Sequence, residues 1–326
     1  MTLSEYIQEN LSFARYSFSI EECSNRLGKS LGSLRSSLAY HVKKGNVVCI
    51  QKGFYLIMDP LHKRIGKLPI GLYIDHLFGY VKKDYYIGLF TASAIHGARH
   101  QAVFLDYVMT KAPYTGFKNR KSYDIIFHAR SHWPPLELEE HKRSNVSIYS
   151  SYQNVVKRKN LWVKLSDSGT YLVSSPALTA VDLIHYQNKL GGVNRILANI
   201  EELSEKMTIE DIETLLSWYP QKSTLRRFGF LLEYLIGKNH TLVLPIKSHL
   251  LIGERDQTRE ENRKNLYPIL LTPDNKTKAS NRDQYPTDSD DFPMPVPDKS
   301  TISERFNWNI DIRFPLDNDL VNKMGL

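Results

Sequence analysis

His96 and His100 stand four residues apart in the run Ile-His-Gly-Ala-Arg-His, a spacing that puts two imidazoles on one face of a helix. A zinc hydrolase built on such a pair needs a glutamate directly after the first histidine, and Gly97 occupies that position. The pair reads instead as a packed helix end closed by a glycine. Metal-dependent phosphodiester cleavage needs carboxylates beside a lysine on a strand, and Asp124 lacks such a lysine beside it. Cys23 and Cys49, the only two cysteines, sit in apolar surroundings without an obvious histidine partner. They read as buried free thiols of a reducing compartment. No glycine loop of the phosphate-cradling kind occurs, and Gly191-Gly192 reads as a helix stop. These residues give no catalytic, metal-binding or cofactor-binding set, and the expectation is a protein that is not an enzyme.

Recognition of a polyanion is the chemistry that the residue types do support. With residues ~100° apart around a helix, Leu31, Leu34, Leu38 and Val42 form one apolar stripe. The opposite face presents Gly32, Ser33, Ser36, Tyr40 and Lys43, with Arg35 on a flank and no acidic side chain. Small hydroxyls let a helix enter a major groove ~12 Å wide, where an arginine reaches a guanine edge or a phosphate. Ser30 caps this helix, while Lys29 at its N-terminus and Lys52 at the tip of a following hairpin are placed for phosphates that flank the groove. The expected DNA-binding set is therefore Lys29, Ser30, Ser33, Arg35, Ser36, Tyr40, Lys43 and Lys52, with double-stranded DNA as partner. The alternative is that Ser33 and Ser36 are ordinary solvent-facing residues of a protein-binding domain. Charge is uneven as well. Residues 61–164 hold 17 Lys and Arg against 7 Asp and Glu, and residues 165–326 hold 19 against 23. A basic excess suits polyanion partners, because each neutralised phosphate releases counterions.

The elements that must position these residues begin at once. Thr2 with Glu5, and Ser19 with Glu22, match the reciprocal capping box, and Gly28 stands where a left-handed helix cap is wanted. A third helix runs from Ser30 to about Lys44 and stops at Gly45-Asn46. Val47–Ile50 and Phe54–Ile57 then read as two strands around Gln51-Lys52-Gly53. Helix, helix, turn, helix, hairpin is the order of a winged helix-turn-helix, assigned to residues 1–60. Residues 61–69 read as a basic linker, and residues 70–326 as a larger mixed domain, giving an α+β chain overall. In that domain, residues 72–81 and 86–97 have helical spacing, residues 123–129 suit a strand, and residues 162–165 and 171–173 suit a hairpin. Helices follow at 175–190, 193–207, 208–218 and 224–236, the first opened by Ser175-Pro176. The Pro- and Asp-rich stretch 272–300 reads as a flexible loop, and residues 306–314 as a last strand. At 326 residues the chain is long enough for two or three domains of ~100–200 residues. No apolar run approaches the ~20 residues of a membrane-spanning helix. The N-terminus has no basic region leading into an apolar core, so the expected location is cytoplasmic.

The run Tyr85-Tyr86-Ile87-Gly88-Leu89-Phe90-Thr91-Ala92-Ser93-Ala94-Ile95-His96-Gly97-Ala98-Arg99-His100-Gln101 resembles the signature of the AbiEi family. These are antitoxins of bacterial type IV toxin–antitoxin systems, associated with abortive phage infection. Ser-Pro-Ala-Leu-Thr-Ala-Val-Asp-Leu-Ile at 175–184 and Arg-Phe-Gly-Phe-Leu-Leu-Glu at 227–233 agree, and the resemblance spans about residues 1–237. It implies an autorepressor whose winged helix binds inverted repeats in its own promoter. It also implies a C-terminal antitoxin domain that counters a co-transcribed nucleotidyltransferase toxin without a stable complex. The resemblance transfers no catalytic residue. Two other readings stay open: a transcriptional regulator whose larger domain senses a ligand or dimerises, and a DNA or RNA nuclease steered by the winged helix.

Overall fold

The computed structural model describes residues 1–98, 105–113, 124–137, 157–236, 241–255, 269–270, 308 and 310–311. The chain mixes helices and sheets. It divides into two compact units, residues 1–92 with 103–174 and residues 93–102 with 175–326.

The first unit starts with α1 (Leu3–Ser12), β1 (Ser17–Ser19), α2 (Ile20–Leu27), α3 (Leu31–Lys43), β2 (Val47–Gln51) and β3 (Phe54–Ile57). Both expected capping boxes form. Glu5 N donates to Thr2 Oγ1 at 3.2 Å while Thr2 N donates to Glu5 at 2.9 Å, and the Ser19–Glu22 pair repeats the pattern at 3.1 and 2.6 Å. Gly28 ends α2 at φ +63°, a conformation that glycine adopts without steric cost. The strands form an antiparallel sheet in the order β1-β3-β2, and Lys52-Gly53 make the β2–β3 turn. β1 carries no sequence signal of its own, since three residues are too few to show alternation. A continuous core joins Leu3, Tyr6, Ile7, Phe18, Ile20, Cys23, Leu34, Leu38, Val47 and Ile57. Cys23 is fully buried, and desolvation pushes its thiol up to about 11; Cys49 is only half-buried and donates to the Gln51 carbonyl.

Residues 61–69, expected as a linker, include the short helix α4 (Pro60–Ile65). Asp59 caps it through the His62 N–H at 2.8 Å, and Gly66 stops it. Six residues with none buried give no apolar stripe to read. A 3₁₀ turn at Ile70–Leu72 and α5 (Ile74–Val81) follow. The helical spacing read over 86–97 resolves differently. Tyr85–Ile87 is a strand, β4, and only Leu89–Ile95 is helical, as α6. Short apolar runs do not separate a buried strand from a buried helix, and β4 is buried at every residue. It sits at the centre of a mixed sheet with β5 (Asp106–Lys111), β6 (Ile125–Arg130), β7 (Leu161–Ser166) and β8 (Gly169–Ser174), in the order β6-β5-β4-β8-β7. β4 runs parallel to β8 and antiparallel to β5; β7 and β8 make the expected hairpin.

The second unit contains α7 (Pro176–His185), α8 (Val193–Ser204), α9 (Ile209–Leu216), α10 (Lys222–Ile236) and α11 (Val243–Arg255). Ser175 caps α7 as expected, and the buried Asp211 carboxylate also accepts from the Ala177 N–H at 2.9 Å. Asn199 donates to Ser93 Oγ and to the Ala98 carbonyl, at 2.9 and 3.1 Å, which fixes residues 93–98 against α8. β9 (Ile269–Leu270) pairs in parallel with β10 (Ile310–Asp311). Trp308 lies over Gly229 of α10, where a Cβ would collide with its ring, and its indole N–H donates to the buried Glu233. The expected loop at 272–300 and the rest of the expected strand 306–314 lie outside the described residues.

Candidate nucleic-acid interface

α3 is held by one side. Leu34, Leu38 and His41 are buried, while Leu31 and Val42 are 39 % and 40 % exposed. The expected stripe is thus corrected at both ends. His41 takes the place of Val42 because its ring is satisfied where it lies. Asn46 Nδ2 donates to Nδ1 at 3.4 Å, so Nε2 carries the proton and faces Ser4 Oγ at 3.5 Å. Burial, with Lys44 adding to it, pulls the His41 imidazole below its ordinary value.

The opposite face stands free of the core. Gly32, Ser33, Arg35, Ser36, Tyr40 and Lys43 are all exposed, as are Lys29 and Ser30 in the turn before the helix. Ser30 caps α3 by accepting from the Ser33 N–H at 3.4 Å, so its hydroxyl is already used within the protein. Tyr40 is 54 % exposed and lies under the Lys44 ammonium, 4.7 Å from the ring centroid. A Cβ added at Gly32 would meet no atom within 4 Å. Glycine in a helix is ~0.5–1 kcal/mol worse than alanine, so packing within the chain gives no reason for it there. The first turns of α1 and α2 carry Glu5 and Glu21-Glu22, whereas that of α3 carries no acid and leaves its positive end uncompensated.

Lys52 is exposed in the β2–β3 turn. Seven of the eight expected residues therefore share α3 and its leading turn, and Lys52 stands apart on a separate element. Sequence reasoning did not include Tyr80, whose hydroxyl donates to the Lys52 carbonyl at 3.1 Å. Nothing local to Tyr80 signals this, because the two residues are 28 positions apart.

Candidate catalytic groups are placed as follows. His96 is half-buried and His100 lies outside the described residues. Among the described residues no group of three or more His, Cys, Asp or Glu could hold a metal ion. A serine–histidine–carboxylate chain does occur. The His76 Nε2–H donates to Glu22 at 3.2 Å, and Nδ1 accepts from Ser17 Oγ at 2.8 Å. His76 holds the Glu22 carboxyl down to about 2. Ser17 is only 6 % exposed and lies within a paired strand, so its hydroxyl is not presented to a substrate. The chain of bonds ties α5 to β1 and α2.

Residues 86–234 match the family model described as the AbiEi antitoxin C-terminal domain. No curated protein sequence matches the chain. Among solved structures, the crystal structure of the Rv2827c protein from Mycobacterium tuberculosis is similar at 12 % identity, with a TM-score of 0.51. It covers 82 % of this chain and 83 % of its own, a likeness of fold. Among the described residues no helix is long and apolar enough to cross a membrane.

His41 ties α3 to a pH dependence. Its neutral form is favoured in the folded state, so its contribution is complete above pH 6.5 and is lost as pH falls below that value. Thermal denaturation from about pH 8 to about pH 5 is expected to show a steeper loss for the native chain than for His41→Gln. Parallel curves would show that His41 is not the source.

Residues 86–234 are thus similar to the AbiEi antitoxin C-terminal domain.

Proposed function

We propose that residues 1–60 act as a winged helix-turn-helix that binds inverted repeats in the chain's own promoter and represses its operon. In the same proposal the AbiEi domain counters a nucleotidyltransferase toxin, without a stable complex between the two proteins, in the cytoplasm. The observation that carries the DNA-binding half is the exposed face of α3, which is free of acid and lined by a glycine and small hydroxyls. Such a face lets the helix backbone come close to the floor of a major groove. Arg35 reads a base edge, Ser33, Ser36 and Tyr40 contact the groove walls, and Lys29, Lys43 and Lys52 neutralise flanking phosphates. The capped N-terminus of α3 adds a favourable dipole toward the same polyanion. The antitoxin half rests on the family match over residues 86–234.

A ligand-responsive regulator is the second reading. It is favoured by an open groove of about 1060 Å³ in the first unit. The groove walls carry Glu9, Glu22, Asp75 and Asp167 beside Arg15 and Arg26, so charges of both signs line it.

Arg35→Ala is expected to weaken binding to a duplex taken from directly upstream of the chain's own gene by ~1–3 kcal/mol and to relax its sequence preference. An equal loss on random duplex would make Arg35 a phosphate contact instead. The antitoxin half is read by growth. Expression of a neighbouring nucleotidyltransferase gene should arrest cells, and this chain supplied from an unlinked promoter should restore growth. Arrest that persists beside confirmed folded protein would leave the regulator reading.

A further inference from the structure

We infer that Tyr80 is a positioning residue for the Lys52 contact with DNA, fixing the β2–β3 turn from outside the winged domain; this rests on the DNA-binding reading above. The turn is only Lys52-Gly53, and Gly53 holds φ +80°. A two-residue hairpin tip that projects toward a partner has few contacts of its own, and its backbone must be held if a lysine there is to meet a phosphate in one place.

Tyr80 supplies that hold in two ways. Its hydroxyl donates to the Lys52 carbonyl at 3.1 Å. It also lies so close over Gly53 that a Cβ there would stand 2.6 Å from the Tyr80 oxygen. The positive φ favours glycine at the turn, and its missing side chain lets the tyrosine hydroxyl come this close. Directly beyond the turn, the buried Phe54 ring packs on Tyr80 at 5.4 Å and on His76 at 5.0 Å. His76 is in turn bonded to Ser17 and Glu22. One face of α5 therefore grips both the turn and the helix that precedes α3. The Lys52 stem stays free to follow a phosphate, while the backbone that carries it does not wander.

The test is binding of the full chain to the upstream duplex across a range of salt, with Tyr80→Phe, Lys52→Ala and the double variant. Tyr80→Phe keeps the ring over Gly53 and Phe54 and removes only the hydroxyl; its melting temperature should stay close to that of the native chain. The expected result is affinity about 3- to 10-fold weaker for Tyr80→Phe. Its salt dependence should be reduced toward that of Lys52→Ala, whose slope falls by about one phosphate contact. The double variant should bind no more weakly than Lys52→Ala. A Tyr80→Phe chain that binds like the native one at every salt would overturn the inference. So would a further loss of the same factor in the Lys52→Ala background, because Tyr80 would then act independently of Lys52. A Lys52→Ala chain indistinguishable from the native one overturns the positioning role alone. A native chain without duplex affinity overturns the DNA-binding reading, and the inference with it.

Discussion

Burial of Leu34, Leu38 and His41 on one side of α3 decides which side of that helix faces outward. Two leucines at this spacing bind the helix to the core formed by α1, β1 and β2–β3, and each contributes ~1.5–3 kcal/mol on burial. His41 then completes the stripe through Asn46 and Ser4 without leaving a buried polar atom unpaired. Rotation of α3 by one position would bury Arg35 and expose Leu34, at a cost no surface interaction in the unit offsets. The exposed row from Gly32 to Lys43 follows from that constraint.

The second unit is organised by a comparable rule, in which helix ends and buried carboxylates satisfy one another. Asp211 of α9 caps the start of α7. Glu233 of α10 sits buried between the Trp308 indole and the Lys247 ammonium. Each of these acids is placed where a backbone or side-chain donor would otherwise be buried unpaired, so they serve the fold. The family-matched stretch from β4 to α10 contains Asp211 and Glu233. The basic excess of residues 61–164 is in part used internally as well. Lys67 pairs with Asp106, and Arg158 with Asp84, each at 2.9 Å.

How much the sequence disclosed follows from what each signal depends on. Helix starts were legible because capping is local: Thr2, Ser19, Ser30, Ser175 and Thr208 all bond a backbone N–H three residues on. β1 and β4 were not, since three-residue strands owe their existence to partners far along the chain. α4 was missed for the opposite reason, having no buried face. The exposed face of α3 was legible from helical spacing, but the choice between His41 and Val42 was not. Only the positions of Ser4 and Asn46 decide it. Tyr80 lay beyond any local pattern, because its partners Lys52 and Gly53 are brought to it by the packing of α5.

Ser36→Glu tests most directly whether the outward face of α3 meets a polyanion. The substitution puts one carboxylate on an exposed, acid-free surface and touches nothing in the core. The expected result is an unchanged melting temperature and at least about tenfold weaker binding to the upstream duplex. Undiminished binding by Ser36→Glu would contradict it, because the helix face that meets DNA would then lie elsewhere.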